Sequence, residues 1–501
     1  MSDLKKQTLK GIAFLGAGKS AGRIISFVNT LILARILAPE DYGLMAMAMV
    51  VVGFVSFFND IGLGSAIIQR KEVSKEELSG TFYLSMIISV ALFTLVYFSS
   101  GAVALFYENT EIEPILQVIA LSFILGAIRT VPEALMVKAM RFKIISGIEF
   151  LSIIIQCVVT LVFAYYGYKT WSLVYGLLVS TCFRSITLLW QCNWLPGLTL
   201  NIRPAVSLMK FGLTVTYSRI TWYMYTNAQT LILGKVVGDK QTGIFSMAQT
   251  LADLPTAHIT NLVIQVASPL FSKLQDDLNA LNHALLKLTA GLSLITFPVL
   301  AGMMLTAEQL VPILLGEQWH AAVIPMQFLC VMAFFKSIDP LITQAFISIG
   351  KANITARYTT ICAVFVPIAV LLGSHLYGVN GAAAGLAIVY PLLMIVLLVL
   401  ARSVYQLSIR SYMSQLATPV SGCLFMAATI LGLGVAMDER LAESQYTLFF
   451  IKVIAGIVSY AFWIIYIRKD GIQLLKSVLI DLGVSESRLS MWPFKLVQKP
   501  Q

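Results

Sequence analysis

Charge is what this sequence has least of. Asp, Glu, Lys and Arg together make up 12% of its 501 residues, where a soluble domain carries about 25%. That scarcity excludes a soluble globular enzyme as a description of the whole chain. Histidine is sparser still: His258, His283, His320 and His375 are scattered with no HExxH pair, so no metal site is expected. The six cysteines form no CxxC pair and mostly sit in apolar runs, where a thiol acts as a small hydrophobe. Strict apolar–polar alternation is missing too. A run such as Thr81 to Tyr97 is almost continuously apolar, which excludes a transmembrane β-barrel strand.

What is present is hydrocarbon. Hydrophobic residues make up 58% of the chain, and its mean hydropathy is +0.83. Apolar runs of about 20 residues, each long enough to cross a bilayer core, recur from about residue 11 to about residue 467. The expected fold is an all-α integral membrane protein with about fourteen transmembrane helices. Lys5, Lys6 and Lys10 precede the first apolar stretch as in a signal peptide, but no small-residue cleavage site follows, so a retained first helix is expected.

The charges that do occur are sorted by position. Arg70, Lys71, Lys75, Lys138, Arg141, Lys143, Lys351 and Arg402 lie in one set of connections, and Glu40, Asp41, Glu108, Glu111 and Glu113 in the opposite set. The positive-inside rule then places both termini in the cytoplasm. The net charge of +10 is read as an orientation signal, with no nucleic-acid partner expected.

The chain also resembles itself at an offset of 200 residues. TLILARILAPEDYGLMAMA, from Thr30, matches TLILGKVVGDKQTGIFSMA, from Thr230, with identities that include Leu31/Leu231, Gly43/Gly243 and Met47/Met247. A second match sets PEALMVKAMRFK, from Pro132, over PLITQAFISIGK, from Pro340. Six predicted helices separate the copies, so both cross the membrane in the same direction. Such parallel repeats imply two six-helix lobes related by a pseudo-twofold axis along the membrane normal. The expected division is 1–200 and 201–405 for the lobes, 406–470 for two further helices and 471–501 for a cytoplasmic tail. Within the tail, an amphipathic surface helix or a disordered end both fit GIQLLKSVLIDLGV, from Gly471.

Basic residues inside predicted helices are Lys19, Arg23, Arg129, Arg184, Arg219, Lys336 and Lys452. A charge at the bilayer centre costs about 2.5–3.5 kcal/mol on insertion scales, so each must face water, a partner or a ligand. At the 200-residue offset Lys19 falls on Arg219, Lys10 on Lys210 and Arg23 on Tyr223. One reading is a cationic cleft with an aromatic wall, with Lys10 and Lys210 at its cytoplasmic mouth; the other is snorkelling or internal pairing. RTVPE (Arg129 to Glu133) and KSIDP (Lys336 to Pro340) each set a base three or four residues from an acid, beside a proline. Arg129 with Glu133 and Lys336 with Asp339 are therefore structural ion pairs at kinks, or coupling sites. Asp60 is either a partner for Lys19 or Arg23 or a polar residue at a helix end.

GAGKSAGR (Gly16 to Arg23) imitates the end of a phosphate-binding loop, but Ala13 stands where that motif needs glycine, and no strand precedes it. No nucleotide and no other cofactor is expected.

LARILAPEDYGLMAMA, NDIGLGSAIIQR and VPEALMVKAMRFK in combination resemble the polysaccharide-transporter family of bacterial membranes. These are the Wzx-type flippases of the multidrug, oligosaccharidyl-lipid and polysaccharide exporter superfamily, and the colanic-acid exporters are the most similar group in motif. The resemblance spans about residues 1–400. It implies two six-helix lobes around a central cavity, and transport of undecaprenyl-pyrophosphate-linked oligosaccharide from the cytoplasmic to the periplasmic leaflet of the inner membrane. It also implies that Lys19, Arg23 and Arg219, with Tyr223 and Asp60 beside them, meet the pyrophosphate or acidic sugars. Helices thirteen and fourteen would guide the polyprenyl chain. A coupling cation (H+ or Na+), a polysaccharide polymerase and chain-length machinery are implied partners.

Two other functions are weighed against this one. A multidrug exporter of the same superfamily would favour an anionic pocket, against which the cations argue. A membrane polymerase or ligase would need a large outer loop or an exposed acidic pair, and neither is evident, so the chain is not expected to be an enzyme.

Overall fold

Where the bilayer cannot satisfy backbone hydrogen bonds, the chain must satisfy its own, and the apolar runs fold as helices throughout. The computed structural model describes residues 21–59, 63–197, 203–437 and 445–468; the side chains of 203–222, 225, 436, 437 and 445 lie outside that description. Among the described residues there are helices and no strand. In chain order they are α1 (Ala21–Ala34), α2 (Pro39–Asn59), α3 (Leu63–Gln69), α4 (Lys75–Tyr107), α5 (Ile112–Ile119), α6 (Leu121–Lys138), α7 (Phe142–Tyr165), α8 (Thr170–Cys192), α9 (Arg203–Ala252) and α10 (Asn261–Lys273). Then follow α11 (Leu278–Leu305), α12 (Ala307–Leu315), α13 (Val323–Ser348), α14 (Ala352–Tyr405), α15 (Ile409–Met437) and α16 (Gln445–Phe462).

Two of these rods are each broken into two helices at a kink. α9 turns at Gly238 (φ 80°) and α14 at Gly378 (φ 58°), a left-handed backbone that a side chain would strain. Counted as two helices each, and with the α2–α3, α5–α6 and α9–α10 pieces joined and the short α12 set aside, they bring the described residues to the fourteen expected helices; ten stretches among the described residues are long and apolar enough to cross a membrane. The short α12 was not expected. It fills a connection and buries Ala307, Val311, Pro312 and Leu315 along one side.

The chain divides into two compact units that meet in sequence at Gly243 and Ile244. In the first, Leu44, Met47, Ala48 and Val52 of α2 pack with Tyr107, Leu116, Phe123 and Val174 of α4, α5, α6 and α8. Small hydroxyls knit the same helices: Ser85, Ser89 and Ser185 are fully buried, and Ser185 donates to the Leu125 carbonyl at 2.6 Å. In the second, Trp319, Phe271, Phe346, Tyr405 and Tyr412 are fully buried. Both units leave large apolar side chains such as Phe98, Leu105, Trp190, Leu376 and Val435 exposed, as a lipid-facing surface requires.

Helix ends are tied by local acceptors. Ser74 and Glu77 form a reciprocal capping box at the start of α4, and Asp277 accepts from Asn279 and Ala280 N–H at the start of α11. Asp41 works over a longer range. Buried to 7% exposure, it accepts from Thr170 N–H (3.0 Å) and Thr170 Oγ1 (2.8 Å), anchoring the first turn of α8 to the first turn of α2. Asp41→Ala leaves those donors buried and unpaired, and should lower stability by about 1–3 kcal/mol. Thermal unfolding in detergent should show a clear loss for Asp41→Ala and a smaller one for Asp41→Asn; an unshifted transition would disprove the anchor.

Candidate functional site

The first unit is fastened where the repeat meets itself. Gly43 and Gly243, equivalent at the 200-residue offset, lie backbone to backbone. A Cβ on Gly43 would overlap the Asp239 carbonyl, and one on Gly243 would overlap the Pro39 carbonyl. Pro39 and Asp239 are themselves equivalent positions, so the contact is reciprocal. Around it stand charged pairs: Lys240 Nζ to Glu40 (3.0 Å) and Lys235 Nζ to Glu108 (2.6 Å), with Asn109 donating to Asp239 at 3.1 Å. Further along, the Tyr223 hydroxyl donates to the Val50 carbonyl at 2.9 Å, and its ring meets Phe57 edge-on. The missing side chain of Gly53 makes room for that hydroxyl. Of the expected aromatic wall, Tyr223 is thus a fastening between α9 and α2.

Exposed ion pairs of this kind contribute little each; the backbone contact sets the geometry. The Lys235 ammonium beside Glu108 holds its carboxyl below the usual carboxylate range, chiefly through their hydrogen bond.

A second cluster joins α6 to α8. Arg184 of α8 reaches Glu133 of α6 at 3.0 Å, while Arg129, one turn before Glu133, stands at 3.9 Å. The expected pair within α6 is therefore present but looser than the bridge to Arg184.

The third cluster, in the second unit, departs further from expectation. Lys336 of α13 does not close on Asp339 of its own helix. Its ammonium lies 2.9 and 3.0 Å from the two carboxylate oxygens of Asp253. Asp339 instead accepts from the Tyr358 hydroxyl of α14 at 3.2 Å. Asp253 sits where α9 has ended at Ala252, just before Pro255 and a wide helical turn, Thr256–Thr260, that leads into α10. That turn is pinned by Thr260 donating to the Ser337 carbonyl at 3.0 Å. Asp253 presents both oxygens to the ammonium, while Asp339, within reach of Lys336 at three residues' spacing, is engaged by the Tyr358 hydroxyl.

Beside this cluster α11, α13, α14 and α15 enclose a cavity of about 560 Å³, lined by Phe297, Ala301, Phe334, Met394, Leu416 and Ala427 among other apolar side chains. Its lining is almost wholly apolar, which suits an apolar ligand and gives a polar one no partners.

Among the cationic residues singled out from the sequence, Arg23 is exposed at the start of α1. Lys10, Lys19 and Asp60 lie outside the described residues, as do the side chains of Lys210 and Arg219. Arg184 and Asp253 gain weight only from their partners across helices. Pro255 was the sequence signal that could have marked the second. Among the described residues no cluster of His, Cys, Asp and Glu could hold a metal ion, and all six cysteines are free.

A family model described as "Polysaccharide biosynthesis protein" matches residues 32–324, more than half of the chain. The chain is 25% identical to the lipopolysaccharide biosynthesis protein WzxC of Escherichia coli over 443 residues, covering 88% of this chain and 90% of that one. It is 24% identical to the succinoglycan biosynthesis transport protein ExoT of Rhizobium meliloti, covering 60% of each. Its fold matches the lipid II flippase MurJ in an inward closed conformation with a TM-score of 0.72, at 14% identity, over 91% of this chain and 99% of that one.

Gly43→Val should force the reciprocal backbone contact apart and raise the reactivity of Lys240 toward amine reagents. Gly147→Val, at a glycine with open space around it, should not. Because Glu108 is depressed, its pair with Lys235 is complete above the ordinary carboxylate range and is lost as pH falls through the lowered value. Carbodiimide, which labels protonated carboxyls, should therefore modify Glu108 only at unusually low pH, and Lys235→Ala should move that onset upward; an unmoved onset would rule out the pairing.

Proposed function

We propose that this chain, which belongs to the polysaccharide biosynthesis protein family, is a flippase for oligosaccharide units linked to undecaprenyl pyrophosphate. It carries them from the cytoplasmic to the periplasmic leaflet of the bacterial inner membrane for surface-polysaccharide synthesis. The observation that carries this reading is the apolar cavity between α11, α13, α14 and α15, which suits a hydrocarbon chain and offers nothing to a sugar. The relatives' names, which refer to polysaccharide biosynthesis and transport, and the fold of a lipid II flippase support it.

The cargo has two ends with opposite needs. A pyrophosphate cannot enter hydrocarbon unpaired, because burying an isolated charge costs far more than any single contact returns. Lys19, Arg23 and Arg219 are assigned to that head, and the apolar cavity to the polyprenyl tail. The head needs only to be held and released, so no covalent step and no cofactor enters. Both termini are assigned to the cytoplasm from the charge pattern. The Gly43–Gly243 contact and the Glu40–Lys240 and Glu108–Lys235 pairs then lie on the periplasmic side, and parting them is the step that releases cargo outward. In this scheme the repeat copies, 1–200 and 201–405, rock against one another, and 406–470 accompanies the lipid. A coupling cation and a downstream polymerase complete the scheme.

Lys19→Ala combined with Arg219→Ala should abolish surface polysaccharide at an unchanged level of protein in the membrane. Filling the cavity with Ala301→Trp and Ala427→Trp should cut export without altering the cations, and normal export by that variant would remove the tail assignment. Deleting the gene should leave lipid-linked units on the cytoplasmic leaflet; accumulation on the periplasmic leaflet would point to a polymerase instead.

A further inference from the structure

We infer that Asp253, Lys336 and Asp339 form a proton-binding site, in which one proton rests on whichever carboxylate Lys336 does not pair. The argument begins with charge balance. Two ionised carboxylates and one ammonium sum to a net negative charge inside membrane-spanning helices; with one carboxyl protonated they sum to zero. A partly buried site within membrane-spanning helices favours the neutral sum, because a net charge there is only partly solvated.

Geometry says which carboxyl holds the proton. Lys336 meets both oxygens of Asp253 at 2.9 and 3.0 Å, so Asp253 is the ionised member. Asp339 accepts a hydrogen bond from the neutral Tyr358 hydroxyl at 3.2 Å, and among the described residues no ammonium or guanidinium is bonded to it. Among the described residues, the groups around the triad are phenols and thiols: Tyr390 beside Lys336, Cys330 beside Asp253, and Tyr412 and Cys362 beside Asp339. Gln249 approaches Asp253 at 3.5 Å and is neutral as well.

Three features make the proton exchangeable. Lys336 and Asp339 are three residues apart on α13, so the ammonium can turn from Asp253 to Asp339 by rotamer change alone. The side chains of Lys336 and Asp253 are 32% and 27% exposed, and charges cannot be exposed to lipid at acceptable cost, so the opening beside them admits water. Asp253 also stands at the irregular turn between α9 and α10, where Pro255 and the wide turn interrupt regular bonding; such turns are frequent at functional sites. In the exchange, Asp339 passes its proton to water, Lys336 pairs with the resulting carboxylate, and Asp253, freed of the ammonium, takes a proton from water. One proton leaves, one enters, and the pairing moves from the α9–α10 turn to α13. A sodium ion would instead have to displace the ammonium from the same oxygens.

This site stands whatever the cargo; only its use as the coupling step rests on the flippase reading. Infrared spectroscopy of the purified protein at neutral pH reads the carboxylic-acid C=O stretch directly. The wild type should show a band that Asp339→Asn removes. Asp253→Asn should remove it too, since Lys336 then pairs with Asp339 and drives off its proton. Lys336→Gln should about double it, because both carboxyls must then be neutral. A band unchanged in Asp253→Asn, or unchanged in Lys336→Gln, overturns the proposal, and these two variants decide it even if Asp339→Asn does not fold. Export that survives collapse of the proton gradient, with the bands behaving as expected, would keep the site and discard its coupling role.

Discussion

The structure depends on one constraint: a charge inside hydrocarbon must find an opposite charge, water or a ligand. With so few charges to place, each one becomes legible. Glu133 stands between Arg129 and Arg184, Lys336 grips Asp253, and Asp339 rests under a tyrosine hydroxyl. Elsewhere the interior is joined by serines and threonines that return a hydroxyl to a nearby carbonyl, which costs little and specifies contact. The cavity beside α15 is the complement of this pattern, a place where charge has been kept out altogether.

That constraint also explains how much could be read before any coordinates. Helix number followed from run length, since the bilayer fixes the length and the backbone fixes the form. The doubling of the chain was visible in TLIL at Thr30 and Thr230. Pairing across helices was not. Lys336 and Asp339 are three residues apart and looked self-sufficient, but the ammonium chose Asp253, which is distant in sequence. Arg184 has no acid near it in sequence, and meets Glu133 only because α8 is set against α6. Local spacing says which groups could meet; packing decides which do.

The site was less legible than the fold for a related reason. An enzyme announces itself by nucleophile, base and acid at set spacings, because bond-making demands fixed geometry. An apolar cavity needs only volume and apolar side chains, which many sequences can supply. Residues such as Phe297, Met394 and Leu416 look like ordinary membrane-helix residues until the space between them appears. Tyr223, expected as part of an aromatic wall, has a partner the sequence did not show: its hydroxyl ties α9 to α2.

The contact between Gly43 and Gly243 has a historical reading. If the two copies descend from one ancestral half, these glycines were once a single residue facing its own twin across a dimer axis. The same holds for Glu40 and Lys240, yet they now carry opposite signs and pair at 3.0 Å. Two identical halves would have set glutamate against glutamate, or lysine against lysine. Opposite signs at this pair therefore require that the two sides of the seam differ in sequence. Joining the halves in one chain leaves the two sides of the seam free to diverge in this way.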